Sequence, residues 1–173
     1  MSTQVGTPPV WALSLAYWLH MLATILWIGG LSAVVLLVLP AARQGLEIGQ
    51  YSRLLERIQR RLDPLGWLSL AVLLGTGLFQ MSANPNYTGF LAISNRWAVA
   101  ILIKHLVFLV MIAVSVYLTW GLFPTLRRIA LLRARGQDVA GAERLARREL
   151  LLLRLNLILG VIILALTSLA RAS

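Results

Sequence analysis

"WALSLAYWLHMLATILWIGGLSAVVLLVLP", residues 11–40, runs for 30 positions without one Asp, Glu, Lys or Arg. A helix rises ~1.5 Å per residue, so about 20 predominantly apolar residues cross a hydrocarbon core. This stretch therefore reads as a transmembrane helix, long enough to tilt or to project beyond the bilayer. Three further runs qualify, at about residues 65–81, 97–123 and 150–169; the second is close to the minimum length. Composition agrees: 59% of residues are hydrophobic, 13% are charged and the mean hydropathy is +0.80. These values are far from those of a soluble domain. The expected architecture is all-α, a single domain of residues 1–173 built as a bundle of four transmembrane helices in a lipid bilayer.

Local chemistry marks the boundaries. Pro8 and Pro9 suit a helix start, where their missing amide donors would be unpaired in any case. Asp63 and Pro64 read as an N-cap and first helical position for the second span, and Ser94 or Asn95 as a cap for the third. Residues 1–7 carry no positive charge and the first apolar run exceeds a signal-peptide core, so that run is expected to be a retained anchor.

Arginine placement gives an orientation. Arg43, Arg53, Arg57, Arg60 and Arg61 follow the first span, and Arg127, Arg128, Arg133, Arg135, Arg144, Arg147 and Arg148 follow the third. Residues 82–96 hold only Arg96 and the N-terminus holds none. Both arginine-rich connections are therefore expected in the cytoplasm and both termini on the opposite, non-cytoplasmic side. The acidic residues fall in or beside the same two connections, but the rule counts Lys and Arg rather than net charge.

The net charge of +10 is accounted for by these flanking residues, which also suit anionic lipid headgroups. No basic patch is interleaved with exposed aromatics, so nucleic acid is excluded as a partner. "YSRLLERIQRRL", residues 51–62, sets Leu54, Leu55, Ile58 and Leu62 at helical spacing and reads as an amphipathic surface helix. Residues 133–150 are expected to continue as a helix lying partly at the interface. Without cysteine, disulfides, thiol catalysis and thioether heme attachment are ruled out. No phosphate-cradling loop or metalloprotease motif is present.

Chemistry must then come from the few polar groups within the spans. His20 lies about ten residues into the first, Lys104 and His105 about eight into the third, and Gln80 closes the second. Both the first and third spans start on the same side, which puts His20 at ~14 Å and His105 at ~12 Å of depth. If those helices are neighbours, the two imidazoles meet. A charged side chain inside a span costs about 2.5 to 3.5 kcal/mol on insertion scales, so such groups are expected to face a partner in the protein interior. Lys104 is the single lysine against fifteen arginines, which suits a site wanting a compact amine. Snorkelling to the headgroups is its ordinary alternative. For His20 the ordinary alternative is a neutral imidazole hydrogen-bonded to another helix. Neighbours on a helix point about 100° apart, so Lys104 and His105 are not expected to face one centre equally.

Two histidines on facing helices suit heme b, whose iron takes imidazole nitrogen and whose macrocycle needs an apolar slot. Gly29, Gly30, Gly75 and Gly77 remove side chains where a flat ring or another helix comes close. Trp18, Trp27, Trp97 and Trp120 are candidates for the pocket wall, while Trp11 and Trp67 read as interfacial anchors. Copper is the alternative metal at His20 and His105, because His20, Met21, Met81 and Met111 offer donors that suit copper(I).

"LHMLATILWIGGLSAVVLLVLPAAR", residues 19–43, resembles the first helix of the CopD superfamily, which includes copper-resistance protein D domains and HemJ-type protoporphyrinogen oxidases. The shared features are Leu-His, a later Trp-x-Gly-Gly, then Pro and Arg. "RWAVAILIKHLVFLVMIAVSVYL", residues 96–118, is similar to a later helix of the superfamily with one lysine in a Leu-rich run. The HemJ resemblance implies heme b linked to a first-helix histidine and a later-helix lysine, which fall at His20 and Lys104. The CopD resemblance implies copper movement across the inner (plasma) membrane. The chain departs from the HemJ pattern in lacking an aromatic-rich segment before Arg43 and in placing His105 beside the lysine. Both departures weigh against protoporphyrinogen oxidation.

Three function classes fit the residues. The first is a heme-binding redox protein, with membrane oxidoreductase chemistry as its enzymatic form and His20, Lys104, His105, Trp27 and Gly30 as its cofactor-binding set. The second is copper transport or tolerance. The third is a cofactor-free accessory subunit, packed against other membrane proteins or against copies of itself.

Overall fold

The computed structural model describes residues 8–46, 48–91, 93–137 and 141–172. Among them there is no strand, and four helices are long and apolar enough to cross a membrane. We label them α1 (Val10–Gly45), α2 (Ile48–Ser82), α3 (Arg96–Arg133) and α4 (Ala142–Arg171). Each overruns its expected span, because the arginine-bearing flanks continue as helix instead of breaking at the interface.

α2 shows this most clearly. The amphipathic segment is not a separate surface helix, and Asp63 and Pro64 do not begin the second span: Pro64 lies inside the continuous α2. Proline in a helix interior deprives the carbonyl four residues earlier of its donor. Arg60 and Pro64 are both exposed, so the freed carbonyl lies on a solvated face. Tyr51, Leu55, Ile58 and Leu62 pack against a buried cluster of Val34, Val35, Leu39, Leu118, Leu122, Phe123 and Leu153. Their packing holds the helix through the proline.

Other boundaries follow the sequence. α1 starts directly after Pro8 and Pro9. Asn95 caps α3, its Oδ1 accepting from the Ala98 amide at 2.7 Å. The helix expected across residues 133–150 is instead interrupted, with Gly136 (φ +78°) and Gly141 (φ +83°) in the left-handed region, which glycine enters without steric cost. Residues 1–7, on which the retained-anchor expectation partly rests, lie outside the described residues.

The bundle is two hairpins. α1 packs along α2 and α3 along α4, and contacts across the pairs are fewer. Polar side chains clasp each hairpin. Between α1 and α2, His20 Nδ1 meets Thr76 Oγ1 at 2.8 Å, and Gln80 Nε2 donates to the Ala16 carbonyl at 3.1 Å. Between α3 and α4, Asn156 Nδ2 donates to Ser115 Oγ at 2.9 Å. The hairpins meet where Ile28 of α1 lies against Gly160 of α4, where Trp67 of α2 and Trp120 of α3 approach with ring centroids 4.8 Å apart, and where Gln59 of α2 donates to Glu149 of α4 at 3.1 Å. Around this core Leu37, Leu109, Leu151 and Val161 are all more than half exposed, as side chains solvated by lipid tails would be.

Candidate functional site

Among the described residues, a larger and a smaller cavity within the bundle divide many of the polar side chains between them. The larger, about 590 Å³, is in the half that carries the chain termini. His20, Lys104, His105 and Trp27 line it together with Gln80, Tyr17 and Arg171. Lys104 and His105 thus share one space despite their angular separation, because the cavity is wide enough to span both directions. Gly30 does not line it and belongs to the smaller cavity toward the arginine-rich end. A Cβ on Gly30 would meet Leu62 at 3.6 Å, an ordinary helix contact.

The histidine hydrogen bonds fix which nitrogen is free. Thr76 donates its only hydroxyl proton to the Val72 carbonyl at 2.6 Å, so toward His20 it accepts, and Nδ1 carries the imidazole proton. His105 Nδ1 lies 2.7 Å from the Ile101 carbonyl, an acceptor only, so it too donates through Nδ1. In both neutral rings the lone pair is therefore on Nε2. Holding the distal N–H on a fixed acceptor is how proteins set the tautomer and ring orientation of a metal-ligating histidine. Gly77 lets the His20 ring lie against α2: a Cβ there would be 3.5 Å from Cε1.

The loop between α2 and α3 borders the cavity at the terminal end. The Asn86 amide donates to Asn84 Oδ1 at 2.9 Å, Thr88 and Ser94 hydroxyls meet at 2.9 Å, and the Phe90 ring lies 5.5 Å from that of His105. Asn84 and Asn86 line the cavity mouth. Arg171 reaches it from the end of α4, its guanidinium 5.7 Å from the centre of the Tyr17 ring, within cation–π range. Lys104 and Arg171 bring two positive charges to this cavity, whereas no Asp or Glu is among its described lining residues.

The tryptophans sort differently from the sequence expectation. Trp27 and Trp97 line the larger cavity, but Trp18 and Trp120 are 59% and 63% exposed, and Trp67, expected as an anchor, lines the smaller one. Of the glycines singled out, Gly29 and Gly75 face open space. The tight position is Gly66, where a Cβ would lie 2.5 Å from Trp27 Cζ3. Sequence reading missed Gly66, Thr76, Arg171 and Asn156. Thr76 had a weak signal, a hydroxyl between two glycines in an apolar run. Arg171 was hidden by its position past the last span.

Among the described residues no group of three or more His, Asp or Glu side chains is placed to hold a metal ion. Met21, Met81 and Met111 all line the larger cavity with the two histidines. The sequence profile of a family described as Copper resistance protein D, CopD, matches residues 56–170, which take in most of α2, α3 and α4 up to Ala170. His20 and the rest of α1 lie outside the matched range. No curated protein and no solved structure matches the chain.

Proposed function

The chain belongs to the CopD family, and from that premise we propose that this multi-pass membrane protein holds heme b in its larger cavity for a redox role. The observation that carries the reading is the donor and charge set of that cavity. It has two imidazoles with free Nε2 atoms on different helices, two cations, and no described carboxylate. A bare metal cation would meet uncompensated positive charge there, whereas an iron porphyrin brings two carboxylates of its own. His20 and His105 are the proposed iron ligands, Lys104 and Arg171 the partners for the carboxylates, and Trp27 and Trp97 part of the apolar wall. Bound there, heme b would supply a one-electron couple. Thr76 and the Ile101 carbonyl keep both imidazole protons on Nδ1, and the apolar wall limits water at the centre.

The proposed orientation puts both termini on the non-cytoplasmic side and both arginine-rich connections in the cytoplasm of an inner (plasma) membrane. The cavity then opens away from the cytoplasm. Cysteines introduced at Ser82 and Gln137, both exposed, should react with a membrane-impermeant reagent from opposite sides. Labelling from one side would refute the orientation.

The test of the cofactor is spectroscopic. Protein expressed with heme supplied should show a Soret band, and His20→Ala should abolish it without dispersing the four-helix fold, read by circular dichroism. A colourless wild-type protein would remove the heme reading. Copper handling is then the alternative, and it has its own support in three thioethers and two imidazoles lining one cavity. Copper(I) retained against a competing chelator, and released by His20→Ala, would establish it. Neither result would leave a cofactor-free helical subunit, with His20 as a clasp between α1 and α2.

A further inference from the structure

The smaller cavity, about 280 Å³, lies nearer the arginine-rich end and is lined mostly by apolar side chains. Among its described lining residues Asp63 is the one ionisable group, so the cavity carries an acid and no lysine, arginine or histidine. Asp63 sits on the inward stripe of α2: Leu62 beside it lies against Gly30, and Gly66 one turn later lies under Trp27. Among the described residues its carboxylate makes no hydrogen bond or ion pair, and its oxygens keep accessible surface. Arg127 of α3 acts on it electrostatically but neither pairs with it nor lines the cavity. Glu56, the nearby acid on α2, is already paired with Arg60 at 2.8 Å. An ionisable side chain at the edge of a membrane span is costly unless a partner balances it, and it marks a functional site by default. The backbone supplies a second observation. Three stretches that contribute to the cavity wall, Ile25–Gly29, Ala33–Val38 and Tyr117–Leu122, are wound as π-helix, a rare geometry that collects at functional sites.

We propose that this cavity binds a small aromatic amine in its protonated form, with the ammonium on Asp63 and the ring against Trp67 and Phe123. Those two side chains line the cavity and offer aromatic surface to both a ring and a cation. The other polar lining residues fit a donor. Gln59 has its amide nitrogen committed to Glu149 at 3.1 Å, which leaves its oxygen as an acceptor, and the Thr119 hydroxyl has no hydrogen bond among the described residues. Asn156 and Ser115 are bonded to each other, and the unpaired Asn156 Oδ1 and Trp27 Nε1 are buried with essentially no accessible surface, so these groups shape the wall without reaching the ligand. Arg57, Arg60 and Arg61 precede Asp63, which sets the carboxylate near the headgroups while the aromatic wall extends into the span. Ile25, Leu26 and Leu65 line the cavity and are exposed on the lipid-facing surface, so an amphiphile can enter from the bilayer. The volume is at the low end for ligand pockets and suits one aromatic nucleus. This inference is independent of any cofactor in the larger cavity, which Asp63 does not line.

Tryptamine and tryptophol share an indole and differ in carrying an ammonium or a hydroxyl. Each is offered at neutral pH to the protein in phosphatidylcholine nanodiscs, with empty nanodiscs as the blank. Saturable tryptamine binding is expected, about tenfold tighter than tryptophol, the ratio that one charge-assisted hydrogen bond gives. Asp63→Asn should remove that preference, whereas Glu143→Gln, at an exposed acid in the first turn of α4, should keep it. Absence of saturable tryptamine binding to the wild type, equal binding of the two ligands, or a preference that survives Asp63→Asn would overturn the proposal. Loss of tryptamine binding when phosphatidylethanolamine is mixed into the bilayer would overturn it too, by assigning Asp63 to a lipid headgroup. The wild-type comparison needs no variant to fold.

Discussion

The two cavities share Trp27 as a wall, yet their polar groups are in opposite conditions. In the larger, the two histidines have their Nδ1 protons committed to fixed acceptors, and two cations lie beside them. The smaller is lined mostly by apolar side chains, with Gln59, Asp63, Thr119 and Asn156 among its few polar residues and no lysine, arginine or histidine among the described lining. A group held by a second residue is aimed and waits for a ligand at its free atom. On the proposed function, the first cavity would suit a metal-bearing anion.

The contrast is sharpest in the pair Lys104 and His105. If the larger cavity holds heme between imidazoles, His105→Ala should convert the low-spin spectrum of a six-coordinate iron to a high-spin one. Lys104→Ala should keep the spectral type and lower heme retention. The reverse outcome, with lysine replacement altering the spectrum, would assign Lys104 as the ligand. A smaller effect is expected from Thr76→Val, which removes the acceptor that fixes the His20 tautomer while keeping the shape. Loss of such a supporting bond typically costs about 10- to 100-fold in metal affinity; heme titration of the apoprotein would read it. An unchanged affinity would mean that packing against Gly77 alone orients the ring.

Smaller still is the effect expected at the shared wall. Gly66→Ala forces a Cβ to 2.5 Å from a tryptophan ring, and overpacking of this kind typically costs about 1 to 3 kcal/mol. Thermal unfolding in detergent should fall accordingly, and both cavities should be perturbed because Trp27 bounds both. Were only one affected, Trp27 would not be the partition.

Much of the architecture was legible in the sequence because lipid imposes a simple rule: long uncharged runs become helices. The four spans follow from length and charge, and the α3 cap from Asn95, one of the two capping residues the sequence offered. The ends did not follow, because Pro64 and the arginines around it look like a boundary, while tertiary packing of Leu55, Ile58 and Leu62 carries α2 through them. The site was half legible. Ionisable groups in an apolar run stand out, so His20, Lys104 and His105 were the candidates, and all three line the larger cavity. Thr76, Gly66 and Asn156 act through a partner on another helix, and no local pattern announces that partner. Gly29 and Gly75 misled for the same reason: a glycine shows that space exists, and only the neighbouring helix shows whether anything fills it.

The division into hairpins bears on how the protein is made. Helices α1 and α2 carry their own clasp, as do α3 and α4, so each pair can settle as soon as its second helix has entered the bilayer. Both cavities are completed only later, when the second hairpin docks against the first at Gly160 and Ile28, because each is lined from both hairpins. A ligand that touches both hairpins would then act as mortar during biogenesis, and its scarcity should leave a population of inserted but undocked chains. Protease sensitivity of the α2–α3 loop in cells starved of that ligand would reveal them; equal protection with and without it would show that the hairpins dock unaided.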